Sequence, residues 1–175
     1  GERTGSVPGE AGWSGLWSAV EDATTRAIVS ALTGEAFEGQ VARDVVEAVP
    51  SGGTLFVSNS MSVRDLDAFG GVRDQELRVL GNRGASGIDG IVSTALGVAA
   101  GARQPVVALL GDIALLHDGN GLLATREADT RVVFVVMNND GGGIFHFLPI
   151  REHEPHFTRL FATPHGIEPA RLAAL

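Results

Sequence analysis

The chain contains no cysteine, which excludes a disulfide framework and any thiolate metal site. It has no run of about 18 uninterrupted apolar residues, so no membrane span is expected. Basic residues are scarce: 13 Lys and Arg face 21 Asp and Glu, a formal net charge of −8. That sign argues against a nucleic-acid or anionic-membrane surface. The dinucleotide fingerprint Gly-X-Gly-X-X-Gly and a P-loop Gly-Lys-Ser/Thr are both missing, which weakens a nucleotide-binding reading. No internal repeat or long low-complexity tract is visible. The Gly- and charge-bearing start is unlike a signal peptide, so a cytoplasmic enzyme is the default expectation. The chain begins with Gly rather than Met and stops abruptly at Leu175, and it reads as a segment of a longer polypeptide.

What is present is enough for one α/β domain with a sizeable core: 175 residues, 44% of them apolar. Residues 1–34 read as a linker and lead-in helix, and residues 35–175 as the domain proper. Gly1 to Gly12 is linker-like. Trp13, Leu16, Trp17, Val20, Ala23, Ala27, Ile28 and Ala31 recur at helical steps, ending near Gly34. Phe37, Val41, Val45 and Val49 repeat the pattern until Pro50-Ser51-Gly52-Gly53 stops it. Strands and helices then alternate. Strands are expected at Thr54–Ser58, Leu77–Leu80, Val106–Leu110 and Val132–Met137, with helices at Ile88–Ala100 and Gly119–Glu127. Continuous apolar strands are buried on both faces, which implies a mostly parallel sheet in a three-layer α/β/α fold. Right-handed crossovers place the strand ends on one edge, where such folds bind ligands.

The loops leaving that edge carry the chemistry. Ser58 to Arg64 follows the first strand and Gly81 to Gly90 the second; Gly111-Asp112-Ile113 follows the third and Asn138-Asn139-Asp140-Gly141 the fourth. Asp112 offers a carboxylate oxygen, Asn139 an amide oxygen and Gly141 a backbone carbonyl. These hard donors suit Mg²⁺ bridging to a diphosphate. Gly111 allows close approach of a phosphate, and the amides opening the following helix can bind the anion. Either pair alone reads as an ordinary turn; both together, each after a buried strand, point to the metal.

This arrangement resembles the diphosphate-binding domain of the thiamine-diphosphate enzymes, whose motif is Gly-Asp-X, a gap of about this size, then Asn-Asn. The resemblance assigns Asp112, Asn139 and Gly141 to Mg²⁺ (with Mn²⁺ an acceptable substitute). Ile113 departs from the Gly of many members but leaves the ligands intact. Within the family, the block Asn82-Arg83-Gly84-Ala85-Ser86-Gly87-Ile88-Asp89-Gly90 is similar to that of the menaquinone-pathway synthases, the MenD type. So are Ser58-Asn59-Ser60 with Arg64, and Asn138 to Phe145 with Leu148-Pro149. The similar blocks span about half the chain. Those synthases decarboxylate 2-oxoglutarate and add the succinyl carbanion equivalent to isochorismate.

The resemblance implies a cofactor set of Ser60, Ile88, Gly111, Asp112, Ile113, Asn139 and Ile144, with Ile88 buttressing thiamine diphosphate between its rings. It implies substrate contacts from Arg64, Arg83, Ile144, Phe145 and Leu148; guanidinium groups suit the carboxylates of both substrates. No catalytic residue is nominated. The activating glutamate belongs to an N-terminal pyrimidine-binding domain, usually on a partner subunit, so a homodimer or homotetramer is implied. The same motifs leave open an acetolactate-synthase-like or 2-oxoacid decarboxylase activity, and a non-catalytic phosphate-binding module. His153 and His156 read as a polar surface loop, because Pro155 breaks the helix that a zinc pair would need. His117 and His146 receive no role.

Overall fold

The computed structural model describes residues 12–32, 37–102, 104–126 and 130–174. The chain divides into two compact units, Gly1–Ala36 and Phe37–Leu175. The first contains α1, Trp13–Ala31, none of whose residues is buried. Its Trp13 and Trp17 rings meet edge to face at 5.5 Å. The expected helix is there, and its apolar stripe is exposed, Leu16 by 62%. Gly34 lies outside the described residues.

The second unit is built on a four-stranded, all-parallel sheet in the order β2-β1-β3-β4. The strands are β1 (Thr54–Val57), β2 (Arg78–Leu80), β3 (Val106–Gly111) and β4 (Val132–Met137). Period-two alternation sorts their side chains into two cores. Leu55 and Leu109 turn to one face, where α2 (Glu38–Ala48) packs Val45 and Val46, Val49 follows just after its end, and α3 (Met61–Phe69) adds Leu66. Phe56, Ala108 and Leu110 turn to the other, under Ile91, Val92, Ala95 and Leu96 of α4 (Ile91–Gly101) and Ala114 and Leu115 of α5 (Asp112–His117). Helices cover both faces, so the fold is the expected three-layer α/β/α sandwich. A short α6, Pro169–Leu172, brings Leu172 against the second core.

Three details differ from the sequence reading. Burial on both faces holds for the central β1 and β3 only; β2 and β4 are edges, and Val79 and Val133 are 49% and 61% exposed. The Ser58–Arg64 loop is shorter than expected, because α3 begins at Met61 and takes in Arg64. Helix α5 starts at Asp112 with no intervening loop. The expected helix at Gly119–Arg126 is of the 3₁₀ type, its start fixed by Asp118, which accepts hydrogen bonds from the Ser93 amide (2.6 Å) and hydroxyl (3.0 Å). Glu127 lies outside the described residues.

Candidate functional site

All four parallel strands end on one edge, and the loops leaving it enclose a cavity of about 420 Å³. Ser60, Arg64, Ile88, Gly111, Asp112, Ile113, Asn139, Gly141, Ile144 and Phe145 line it. Arg83 and Leu148 do not; Arg83 donates to the side-chain oxygen of Asn59, and Leu148 is 47% exposed. Glu38, Asn59, Phe161 and Thr163 line it as well and were not nominated from the sequence.

The register brings the two motif loops together. Gly111 pairs with Met137, so Asp112 and Asn138 leave adjacent strands at the same level. Asp112 is 2% exposed yet well supplied with donors. Its Oδ1 accepts the Ile113 N–H at 2.7 Å, and its Oδ2 accepts the Gly141 N–H at 2.9 Å. The Ile113 amide, expected to face an anion, is thus turned onto Asp112. Asn139 donates through Nδ2 to Glu38 Oε1 at 2.7 Å, which leaves its amide oxygen as the end available to another ligand. Asp140 follows with φ 61°, a left-handed conformation that Asp tolerates. The backbone N–H groups of Gly166 and His165 bond to Asp140 and hold its carboxyl below the ordinary range.

The opposite wall is organised by Asn59, 2% exposed. Its Nδ2 donates to the carbonyls of Asn82 (2.9 Å) and Gly87, and its Oδ1 accepts from Arg83. One side chain therefore ties the first loop to the second and places Ile88. Ser60 stands before α3 with φ 67° and ψ −132°, and its side chain makes no capping bond. Strained backbone of this kind concentrates where ligands bind. Arg64 donates to the Ser60 carbonyl at 2.6 Å and lines the cavity. Asp65, on the same helix, is buried, with one carboxylate oxygen unpartnered; burial first, and the charge of Glu38 second, push its carboxyl up.

Residues 72–175 match the family described as thiamine pyrophosphate enzyme, C-terminal TPP binding domain. The chain belongs to that family. This TPP-binding domain is similar to proteins named 2-succinyl-5-enolpyruvyl-6-hydroxy-3-cyclohexene-1-carboxylate synthase. It is 48% identical to that of Haloarcula marismortui over 168 residues, covering 96% of this chain and 28% of the relative. It is 58% identical to that of Chloroflexus aurantiacus over 127 residues, 73% of this chain and 22% of the relative. With the Natronomonas pharaonis protein the identity is 56% over 138 residues, 79% and 23% of the two chains. The chain spans about a quarter of the length of these curated relatives.

The residues of this TPP-binding domain fit a diphosphate and a cation. A Cβ added at Gly111 would meet no atom closer than 4.0 Å, so the backbone there is open to a bulky oxyanion. Asp112, Asn139 and Gly141 could supply carboxylate, amide and carbonyl oxygens. Among the described residues no group of three or more His, Asp or Glu side chains is arranged to hold a metal. A cation here therefore needs the mixed oxygen set, completed by ligand oxygens or water, which is the habit of Mg²⁺.

The unassigned histidines lie elsewhere. His117 sits 4.0 Å from Asp89 Oδ1, His146 packs edge-on to Phe157 at 4.9 Å, and His153 and His156 are exposed. A larger groove of about 770 Å³ runs along Leu122, Phe134, Val136 and Leu172. Its walls continue the apolar core, and none of the motif residues lines it.

Proposed function

We propose that this domain carries the diphosphate half of the active site of a thiamine-diphosphate- and Mg²⁺-dependent synthase of menaquinone biosynthesis. The enzyme decarboxylates 2-oxoglutarate and adds the succinyl carbanion equivalent to isochorismate, releasing CO₂. The supporting observation is the junction of the two motif loops, where the Gly141 N–H bonds Asp112 Oδ2 at 2.9 Å beside Asn139. The likeness to synthases of that name supports the choice of reaction.

Bound thiamine diphosphate supplies a carbon nucleophile and an electron sink for decarboxylation of a 2-oxo acid. The chain's own residues position and exclude. Asp112, Asn139 and the Gly141 carbonyl would hold the Mg²⁺ that binds with the diphosphate. Ser60, Gly111 and Ile113 contact the cofactor, and Ile88 buttresses it. Arg64 binds a substrate carboxylate, for which a guanidinium offers paired N–H donors. Arg83 reaches a second carboxylate once its bond to Asn59 is exchanged for one to substrate. Ile144 and Phe145, which line the cavity, would exclude water from the reacting carbon, which strengthens every polar contact around it. The activating glutamate comes from an N-terminal pyrimidine-binding domain of a partner subunit, so the working unit is a homodimer or homotetramer in the cytoplasm.

The test uses the full-length protein. Calorimetry should give Mg²⁺-dependent binding of thiamine diphosphate that Asp112→Ala abolishes. Product analysis should give succinyl transfer from 2-oxoglutarate to isochorismate and no condensation of pyruvate. Unchanged cofactor affinity in the variant defeats the metal assignment, and pyruvate condensation defeats the choice of reaction.

A further inference from the structure

The two metal-side loops are tied together by a segment that no motif marks. His165 is central to it, with only 12% of its side chain exposed. Its Nδ1 accepts the Ile167 N–H at 2.9 Å, so the ring proton of the neutral imidazole resides on Nε2. That Nε2–H donates to Asp112 Oδ2 at 3.0 Å, across 53 positions of sequence. Asp140 fixes the backbone beneath the ring, its Oδ1 accepting the N–H groups of His165 (3.0 Å) and Gly166 (2.7 Å). A further tie runs from the Gly142 N–H to the Ala162 carbonyl at 2.7 Å. Hydrogen bonds thus close a ring from Asp112 through His165 to Asp140 and back through Gly141.

The donors at Asp112 can be counted. A carboxylate offers about four lone-pair sites, two on each oxygen. Oδ2 is filled by the Gly141 N–H and His165 Nε2–H, and Oδ1 takes the Ile113 N–H. One site on Oδ1 remains. A carboxylate so held presents a single oxygen in a fixed direction and cannot turn to bind a cation through both. Mg²⁺ demands near-octahedral geometry with single oxygens, whereas Ca²⁺ accepts bidentate carboxylates and irregular shells. Groups that hydrogen-bond a metal ligand orient it and tune its affinity.

We infer that His165 is a positioning residue for Asp112, locking the carboxylate so that one Oδ1 lone pair meets the divalent cation and Mg²⁺ is favoured over Ca²⁺. The inference rests on the proposed function, which puts the cation at Asp112. Cation affinity is measured on the full-length protein with thiamine diphosphate present, by calorimetry for Mg²⁺ and Ca²⁺ and by electron paramagnetic resonance for Mn²⁺. His165→Ala should weaken Mg²⁺ and Mn²⁺ by roughly 10- to 100-fold, and Ca²⁺ by clearly less. His165→Gln, whose side-chain amide can donate where Nε2 does, should recover most of the Mg²⁺ affinity. Should His165→Ala not fold, His165→Gln and His165→Met, similar in size and differing in the donor, carry the same comparison. Mg²⁺ affinity within twofold of the parent in the donor-free variant overturns the inference. So does an equal loss for Mg²⁺ and Ca²⁺ that glutamine fails to rescue. A parent protein that binds none of these cations with the cofactor removes the proposed function and this inference together. Parent binding with an unmoved variant removes the inference alone.

Discussion

Adding one methyl group at Gly141 should damage the site more than any other single-carbon change in its walls. Gly141 holds φ 140°, a conformation that L side chains rarely adopt. A Cβ there would press into the Ala162 carbonyl oxygen, which is backbone and cannot swing aside. Backbone strain of this type costs about 1–3 kcal/mol. Relieving it by moving the turn withdraws the Gly141 N–H from the buried Asp112 carboxylate, worth about another 1–3 kcal/mol. The middle of the summed range is about 4 kcal/mol, with the combined effect subject to how far the turn relaxes. Gly97 provides the control. It lies exposed within α4, and a Cβ built on it meets no atom within 4 Å. Gly97→Ala should therefore stabilise by about 0.5–1 kcal/mol through helix propensity alone. Thermal unfolding of the full-length protein, with and without Mg²⁺ and thiamine diphosphate, reads both variants. Gly141→Ala should lower the midpoint without ligands and lose the ligand-induced rise; Gly97→Ala should raise the first and keep the second. A Gly141→Ala protein that melts with the parent and still gains stability from the ligands refutes the argument.

Three other changes probe the surroundings. Asn59→Ala removes the donor to the Asn82 and Gly87 carbonyls and the acceptor for Arg83; amide hydrogen exchange in residues 82–88 should accelerate, with stability down by about 2–3 kcal/mol. Asp65→Asn should stabilise the protein at neutral pH. Its carboxyl is pushed up in the folded state, so the native protein holds the proton longer and loses stability as pH rises from the ordinary carboxylate range towards the raised value. Denaturation against pH should show the gain of Asp65→Asn fading on acidification below about pH 4, where folded and unfolded carboxyls are both protonated; a gain that persists there contradicts the assignment. Arg64→Lys keeps the charge but loses the paired donors. On the proposed reaction, the KM for 2-oxoglutarate or isochorismate should rise about 10-fold, the scale of one charge-assisted hydrogen bond.

Which parts of this were readable in the residues follows from what each element buries. The four strands announced themselves as apolar runs, and their alternation sufficed for three layers. Helix α3 gave no such signal because its inward face includes Ser62 and Asp65, and burial of polar side chains leaves no apolar period. Helix α5 was hidden because Gly111 ends β3 and Asp112 starts the helix at once, with no turn residue between them. At the site, residue type and position after a strand were enough to single out Asp112, Asn139 and Gly141. The place of Arg83 was not readable, since it depends on Asn59 from another loop. His165 was invisible for the same reason: Thr163-Pro164-His165-Gly166 reads as a bare turn, and only the fold brings it to Asp112.

The outer side of β4 has no strand beside it among the described residues. Alternate residues of Val132 to Met137 therefore turn their amide and carbonyl groups to that open side, and Val133 is 61% exposed. Such a row templates any extended chain that reaches it. In a tube of these 175 residues alone, molecules would zip to one another along that margin, and turbidity would climb with concentration. A lysine at position 133, which puts a charge on this edge strand, is the economical cure.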